Sequence, residues 1–324
     1  GVQTTVKDYI NRSISDILNA EINWPFTRAE GSVDAIAGKQ LYSFASIAST
    51  LKYIDYDNVF LMPKDYITNG DFEISGSASI TNWATISGSP AASSKFGNTL
   101  LLTSAKSSQE VEDLIVGKSY VILIQTSGAT LTLDVGTSSG GTQTKTTTLT
   151  IASGNEVLLS EVTFTATATT HYVTFTESAG ATAYVKLVQL AENITPIGLK
   201  YISYEEYSER YRERDSRPDT DKFSDPEFIY TTYNDEIGLS PIPDTSNRTI
   251  KFDYYTSNVD LSAHGDTSII PTRFESVINA RAKYYTYMFR SDVQTAQYAL
   301  KEYEDGVKRM RVELINRKNY MRAV

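Results

Sequence analysis

The sequence contains no cysteine, only two histidines and only two tryptophans among 324 residues. Without cysteine the chain can form no disulfide bond, no thiolate metal site and no cysteine nucleophile, so packing must stabilise it. No stretch approaches the roughly twenty apolar residues of a membrane helix, and the N-terminal residues lack the basic and apolar regions of a secretory signal. We therefore expect a soluble protein that is assembled in the cytoplasm and contacts no membrane.

Basic charge and catalytic motifs are also scarce. The formal net charge of −9 argues against a general nucleic-acid-binding surface, which needs an excess of lysine and arginine. Neither His171 nor His264 belongs to a His-Glu-x-x-His pair, and the chain has no Gly-x-Ser-x-Gly elbow and no glycine-rich phosphate loop. We expect no enzyme. A hydrolase assembled from residues distant in sequence is the alternative.

One long segment differs from the rest in composition. Arginine is absent between Arg28 and Arg210, and residues 67–192 are dominated by Ser, Thr, Gly, Ala and Val. Short β-branched runs with turn residues between them predict an all-β sandwich of jelly-roll type, inserted into the chain. The predicted strands are 120–124, 131–135, 146–151, 156–164, 171–175 and 183–190. The predicted turns are 126–128, 140–141 and 153–155.

Residues 1–66 and 193–324 predict a second domain of α+β class, in which a helical bundle carries a small antiparallel β-domain. Thr5 and Asp8 have capping-box spacing at the start of a first helix that ends before Trp24-Pro25. Its apolar stripe consists of Val6, Ile10, Ile14, Ile17 and Leu18.

After the insert, Ser203 and Glu206 repeat the capping-box spacing, and Tyr204, Tyr207 and Tyr211 share a helix face. A hairpin is predicted from 228–232 and 236–239, followed by a strand at 249–255.

Two long helices are predicted from Pro271 onward, the second capped by Ser291. The apolar face of the first contains Phe274, Val277, Ile278, Ala282, Tyr285 and Phe289. That of the second contains Val293, Ala296, Leu300, Tyr303, Val307, Met310 and Leu314.

The chain also has 22 tyrosines, which offer apolar area with a polar tip and are typical of interfaces. As a group they favour assembly, although Tyr284, Tyr285 and Tyr287 could equally pack within the bundle. Beyond Gly306 the charge becomes basic, opposed only by Glu313. The basic residues are Lys308, Arg309, Arg311, Arg317, Lys318 and Arg322. They predict either a segment that binds an acidic partner or a solvated helix end.

Four stretches outside the insert resemble the head-to-tail adaptor family of short-tailed bacteriophages, also called tail tubular protein A. They are 22–27 (INWPFT), 230–243 ending in GLSPIP, 250–255 (IKFDYY) and the Ile270-Pro271 pair. The resemblance implies a virion protein that forms a ring, of twelve subunits in this family, between the portal and the tail nozzle protein. It also implies that the C-terminal segment binds the portal, that DNA passes through the ring without specific binding, and that tail fibres are further candidate partners.

The start of the insert resembles the opening of carbohydrate-binding jelly rolls, through 67–73 (ITNGDFE) followed by Trp83. The resemblance makes Asp71 and Glu73 candidate ligands of a structural calcium ion, because hard cations prefer carboxylate oxygens. Glu73 is otherwise a solvated strand residue, and no other metal or cofactor is expected. Binding of host-surface glycans through the insert is the alternative function, and it would require exposed aromatic rings.

Overall fold

The computed structural model describes residues 2–73, 80–150, 157–217, 223–263 and 265–315. The chain divides into two compact units, which we call the frame and the insert. The frame comprises Gly1–Leu61, Ile197–Thr245 and Ile250–Val324, and the insert comprises Met62–Pro196 and Ser246–Thr249. The expected insert, 67–192, lies inside these bounds, but the short second segment was not expected.

Helices and two four-stranded sheets make up the described part of the frame. The helices are α1 (Val2–Ala20), α2 (Phe44–Ile47), α3 (Tyr204–Arg210), α4 (Arg212–Asp215), α5 (Glu275–Phe289) and α6 (Val293–Leu314). The strands are β1 (Arg28–Asp34), β2 (Leu41–Ser43), β3 (Leu51–Pro63), β14 (Ile197–Gly198), β15 (Lys200–Tyr201), β16 (Phe228–Thr231), β17 (Glu236–Ser240) and β18 (Arg248–Thr256). None of the described helices combines the length and the apolar character needed to cross a membrane.

The three long helices α1, α5 and α6 pack around one apolar cluster. Its fully buried members include Ile17, Trp24 and Met310, and the Trp24 indole nitrogen donates a hydrogen bond to the Ile17 carbonyl at 2.9 Å. The predicted stripe of α1 is confirmed for Ile14, Ile17 and Leu18, which are buried. It is wrong for Val6, because that side chain is 46% exposed.

The helix ends follow local signals only in part. Ser203 caps α3 as predicted, since its hydroxyl accepts a hydrogen bond from the Glu206 amide at 3.1 Å. Thr5 does not cap α1, because the helix already begins at Val2. Nor does Ser291 cap α6. That residue has a positive φ of 60°, and the side chain of Asp292 accepts the hydrogen bond from the Thr295 amide instead.

The turn between α5 and α6 also corrects the sequence-based prediction. Phe289 and Val293 were expected on the buried helix faces, but they are 75% and 53% exposed. The helical period continues through the chain to these positions, whereas the packed core ends at Tyr285 on α5 and begins again at Ala296 on α6.

The β-domain of the frame has the sheet orders β1-β18-β3-β14 and β15-β16-β17-β2. The predicted hairpin is confirmed as β16–β17, with Thr231 opposite Ile237, and the predicted strand at 249–255 is confirmed as β18. The cluster packed in this domain includes the fully buried Ile54, Leu61 and Ile250.

The insert is a sandwich of two five-stranded antiparallel sheets. Its strands are β4 (Ala84–Ser87), β5 (Ala91–Ser93), β6 (Thr99–Leu102), β7 (Lys106–Val111), β8 (Ser119–Gly128), β9 (Leu131–Gly136), β10 (Lys145–Leu149), β11 (Leu158–Thr165), β12 (His171–Thr176) and β13 (Ala183–Glu192). The front sheet has the order β10-β9-β12-β7-β4, and the back sheet has the order β11-β8-β13-β6-β5.

One continuous apolar cluster lies between the two sheets and includes Phe72, Tyr120 and Phe175, all fully buried. Each of the six predicted strands corresponds to a strand of the insert, although β8 runs to Gly128 and residues 151 and 156, at the ends of two predicted strands, lie outside the described residues. The predicted turn at residues 126–128 is wrong, because these residues continue β8. The predicted turn at 140–141 is confirmed, with Gly140 at φ 73°. The predicted turn at 153–155 lies outside the described residues.

Candidate docking surface

Helix α6 carries Lys308, Arg309 and Arg311, three of the six basic residues that the sequence singled out, and a glycine sets its distance from α5. A Cβ atom at Gly306 would lie 2.7 Å from Cγ2 of Val277, closer than carbon atoms pack. The absence of a side chain at Gly306 thus allows α6 to pack tightly on α5. Val307 and Met310 fill the buried face of α6 below this point, which leaves the opposite face exposed.

The basic side chains of α6 point in different directions. Lys308 and Arg309 are exposed, and the Lys308 ammonium lies 3.5 Å from the Asp305 carboxylate. The Arg311 guanidinium instead reaches α1, where its Nε lies 3.3 Å from Glu21 and its Nη2 donates to the Ala20 carbonyl. Arg311 therefore binds the C-terminal end of α1, where a cation is stabilised by unpaired carbonyls.

The remaining three predicted docking residues, Arg317, Lys318 and Arg322, lie outside the described residues. Of the predicted set, Lys308 and Arg309 are consecutive exposed residues of α6, and Arg311 is engaged within the frame. Portal docking by any of the six stays a prediction.

A groove of about 370 Å³ runs beside Arg309, between the start of α5 and the last turns of α6. Charged side chains of both signs line it. They are Arg273, Glu302, Asp305, Arg309 and Glu313. This groove suits a partner segment with mixed polar and charged side chains better than an apolar ligand.

A charged contact fixes α1 against α5. The Arg281 Nε donates a 2.6 Å hydrogen bond to Asp16, and the Tyr285 hydroxyl donates to the same carboxylate oxygen. Burial alone would lower the pKa of Arg281, but the hydrogen bond to Asp16 raises it overall. The guanidinium also lies 4.8 Å from the ring centre of Tyr303, so α6 joins the same contact.

An exposed apolar patch occupies the α5–α6 turn. Met288, Phe289 and Val293 are 44%, 75% and 53% exposed, and they follow one another closely in the chain. Side chains of this kind, gathered at one point, are typical of protein contact surfaces. Sequence periodicity concealed them, because it assigned Phe289 and Val293 to the core.

The tyrosines divide between packing and exposure. Tyr285 is buried, Tyr284 and Tyr287 are half-buried, and the rings of Tyr207 and Tyr230 stack at 3.9 Å in the β-domain. Exposed tyrosines occur as well, at 78% for Tyr233. Packing within the frame is therefore shown for Tyr285, Tyr207 and Tyr230, and a role of exposed tyrosines in assembly stays a prediction.

The two carboxylates proposed for calcium, Asp71 and Glu73, are exposed. Their loop is organised by Asn69, whose side chain accepts a 2.7 Å hydrogen bond from the Glu73 amide and donates to the Thr81 carbonyl. Within the described residues no group of three or more His, Cys, Asp or Glu side chains could hold a metal ion. Calcium binding by Asp71 and Glu73 stays a prediction.

On the outer face of the front sheet, the Tyr172 side chain contacts the Glu110 carboxylate. Tyr172 is partly exposed, and its hydroxyl donates a 2.8 Å hydrogen bond to Glu110 on the neighbouring strand. This hydrogen bond raises the pKa of Tyr172. Trp83 offers no such surface, because it is buried against Phe72 and Phe175.

Of the two histidines, the structure describes only His171. His171 is fully buried, its ring packs against Phe164, and burial lowers its pKa. His264 lies outside the described residues. That the chain is not an enzyme stays a prediction.

A buried carboxylate that the sequence did not reveal lies at one end of the sandwich. Glu177 is 2% exposed and accepts hydrogen bonds from the backbone amides of Ser104 and Ala179 at 2.6 and 2.8 Å. Burial acts to raise the pKa of Glu177, but these backbone hydrogen bonds outweigh it and lower the pKa. Only the loop conformation brings these amides together, so no local motif could have predicted the contact.

Several solved structures have folds similar to part of this chain. The enzymatically active domain of bacteriophage CBA120 tailspike protein 4 is 14% identical over 40% of this chain and 21% of that chain, with a TM-score of 0.33. TmCBM61 in complex with β-1,4-galactotriose is 17% identical over 40% of this chain and 99% of that chain, with a TM-score of 0.31. The carbohydrate-binding module CBM36, in complex with calcium and xylotriose, is 12% identical over 34% of this chain and 94% of that chain, with a TM-score of 0.28. Likenesses this remote carry no argument about function.

The comparison with curated proteins finds no match. The family model described as SU10 adaptor protein matches residues 144–324, which is more than half of the chain and includes α3 to α6 and the C-terminal strands of the frame. The chain therefore belongs to the SU10 adaptor protein family, a family of bacteriophage adaptor proteins.

Proposed function

We propose that this structural phage protein is a head-to-tail adaptor, which forms a ring below the portal and continues the DNA channel into the tail. The observation that carries the proposal is the family match, which covers the whole C-terminal part of the frame. Its location is the neck of the virion, after assembly in the host cytoplasm. The ring has twelve subunits, the portal and the tail nozzle protein are its partners, and tail fibres are further candidates.

The exposed face of α6 supports portal binding. Lys308 and Arg309 are exposed and Arg309 lines the charged groove, while Val307 and Met310 are buried and anchor the helix. A rigid helix with exposed cations suits an acidic partner surface, because the helix loses little conformational freedom on binding. The role is structural in this proposal, with no catalytic step.

The first experiment measures particle mass by light scattering for the purified chain alone and with its cognate portal ring. We expect a ring-sized complex when portal is present. A chain that stays monomeric under both conditions contradicts the adaptor role.

A charge-reversal pair tests the docking surface. In the Lys308→Glu, Arg309→Glu variant, we expect portal affinity to fall at least about tenfold, because the reversed charges repel an acidic partner surface. A tenfold loss corresponds to about 1.4 kcal/mol of binding free energy. The matched control is Lys283→Glu, Arg290→Glu, which reverses two exposed charges on and beside α5. A third variant that lacks residues 316–324 tests the terminal basic residues separately. Equal portal binding by all variants would remove the docking surface while leaving the ring itself intact.

A second candidate function is binding of host-surface glycans through the insert. It is favoured by the Tyr172 ring and the Glu110 carboxylate, which lie together on an outer sheet face as an apolar platform beside a hydrogen-bond acceptor. A glycan array with the wild-type chain and the Tyr172→Ala variant tests it. Tyr184→Ala, on the back sheet, is the control. Binding that is absent, or that survives Tyr172→Ala, rejects this site.

A further inference from the structure

Four tyrosine rings, which we call the tyrosine row, follow one another across the β-domain of the frame. Tyr255 lies on β18, Tyr53 and Tyr56 lie on β3, and Tyr201 lies on β15. The centre of the Tyr53 ring is 6.0 Å from that of Tyr255 and 6.2 Å from that of Tyr56. The Tyr56 and Tyr201 rings stack with their centres 4.1 Å apart. The tyrosine row therefore reaches from one sheet of the β-domain to the other.

Two rings of the tyrosine row are open to solvent. Tyr53 and Tyr201 are 44% and 43% exposed. Tyr56 instead packs against the buried cluster of the β-domain, and its hydroxyl forms a hydrogen bond with that of Thr231. Tyr56 thus holds the row on the domain, and the two exposed rings offer an apolar surface with polar tips, which is typical of contact sites.

One end of the tyrosine row already holds a cation between two carboxylates. The Arg28 guanidinium lies 3.5 Å from Asp55 and donates a hydrogen bond to Asp253. Tyr255 lies beside this group, since its pKa is raised by burial and then by Asp55, while Arg28 acts in the opposite direction. The surface therefore accommodates a guanidinium next to a tyrosine ring.

The other end of the tyrosine row has a carboxylate but no such cation. Glu205, on α3, is exposed and accepts a 2.6 Å hydrogen bond from the Tyr233 hydroxyl, which lowers the pKa of Glu205. Its negative charge also raises the pKa of Tyr201, after the larger effect of burial. No lysine or arginine in the described part of the chain forms an ion pair with Glu205.

This arrangement suits a cation better than a neutral or anionic ligand. A lysine or arginine side chain over Tyr53 or Tyr201 is attracted by the negative face of the ring, and its charge can pair with Glu205. The carboxylates beside the row outnumber its one arginine, so the surface attracts basic segments. Because the rings follow one another in a line, an extended segment contacts more of them than a helix does.

We propose that the tyrosine row binds an extended segment of a partner protein that carries arginine or lysine. One cation of this segment pairs with Glu205, and its aliphatic stem packs on Tyr53 and Tyr201. The inference stands apart from the adaptor role, because it uses the β-domain rather than α6 and does not rest on portal binding.

A labelled synthetic peptide that alternates arginine with proline tests the proposal, because proline keeps the peptide extended. Fluorescence anisotropy measures its binding to the purified full chain at about 0.15 M salt, where exposed charges more than about 8 Å apart are largely screened. A second peptide carries glutamine in place of each arginine. We expect only the arginine peptide to bind. Equal binding of the two peptides, or binding of neither, overturns the inference.

A pair of charge variants locates the binding site. Glu205→Gln should weaken binding of the arginine peptide about threefold, the size expected for one exposed ion pair. Glu304→Gln is the matched control, because it removes the same charge from an exposed position on α6 and should leave the affinity unchanged. Equal losses would mean that the peptide responds only to the net charge of the chain, which overturns the inference.

Tyrosine variants test the rings themselves. The Tyr53→Ala, Tyr201→Ala variant should bind the arginine peptide at least about fivefold more weakly, because both cation–π partners are lost. Tyr53→Phe, Tyr201→Phe keeps both rings and should keep most of the affinity, as should Tyr298→Ala at an exposed tyrosine of α6.

The phenylalanine variant also separates a basic segment from a glycan. If it loses binding as completely as the alanine variant, the hydroxyls rather than the ring faces hold the ligand, and the inference is wrong. Circular dichroism checks that each variant is folded. Should the alanine variant not fold, Glu205→Gln against Glu304→Gln still decides, because neither substitution removes a buried side chain.

Discussion

The insert gathers its buried apolar side chains into one continuous cluster between two sheets, whereas the described part of the frame divides its own among three clusters. Charged contacts connect the elements of the frame, such as Arg281 with Asp16 and Arg311 with Glu21. The difference suggests different weak points. The insert should lose most stability when its central core is truncated, and the frame when a charge that connects two helices is removed.

The two tryptophans make this comparison measurable, because Trp24 belongs to the frame and Trp83 to the insert. Trp24→Phe leaves a fluorescence reporter of the insert alone, and Trp83→Phe leaves a reporter of the frame alone. The stability of each unit is measured in the background that keeps its own tryptophan, by denaturant unfolding followed by fluorescence.

The largest effect is expected in the insert core. Phe175 is fully buried, and the centre of its ring lies 5.7 Å from the centre of the Trp83 ring. Phe175→Ala should lower the free energy of unfolding of the insert by about 3–5 kcal/mol, because it leaves a cavity. The control is Phe289→Ala in the frame, the same substitution at a 75% exposed residue. It should change the free energy of unfolding of the frame by less than about 0.5 kcal/mol. Equal losses would contradict the core assignment.

In the frame, the carboxylate of Asp16 should matter most. Asp16→Ala leaves Arg281 and Tyr285 without their shared acceptor, so we expect a loss of about 2 kcal/mol, reported by Trp24. Asp8→Ala, at an exposed position of the same helix, is the matched control and should cost little. If both variants unfold alike, the frame does not depend on this contact.

A smaller effect is expected where α5 and α6 approach each other. Gly306→Ala gains helix propensity but places a Cβ against Val277, so we expect a net loss of about 1–2 kcal/mol. Adding Val277→Ala removes the clash. The double variant should therefore be less destabilised than the two single losses combined, and strict additivity would show that the helices do not touch as described.

Elements of the frame could be predicted from local signals, since Ser203 caps its helix and the hairpin turn lies between β16 and β17. Burial at the ends of elements could not. Phe289 fits the helical period of buried residues, but no other element packs over it and it is exposed. Residues 126–128 are of types common in turns, but they belong to β8. Tertiary context overrides propensity at such positions.

The candidate sites show the same limit. Lys308 and Arg309 could be identified from the charge pattern of the sequence, but nothing local indicated that Arg311 would bind Glu21. Glu192 contacts both Lys118 and Asn247, which are far from each other in the chain, and Asn247 belongs to the short segment that the sequence assigned to the frame. Contacts between distant segments depend on the fold itself, so one sequence does not reveal them.

The smallest effect is expected at Glu177, where the stability of the insert should depend on a buried charge. Backbone amides stabilise the ionised form of Glu177 and lower its pKa, so its contribution is complete above the unfolded value, near 4.3, and is lost as the pH falls through the folded pKa. Glu177→Gln should therefore cost about 1 kcal/mol at pH 7, and the gap between wild type and variant should close toward pH 3. Unfolding of both proteins followed by Trp83 fluorescence between pH 3 and pH 7 measures that gap. A gap that stays constant with pH would mean that shape, rather than charge, makes Glu177 stabilising.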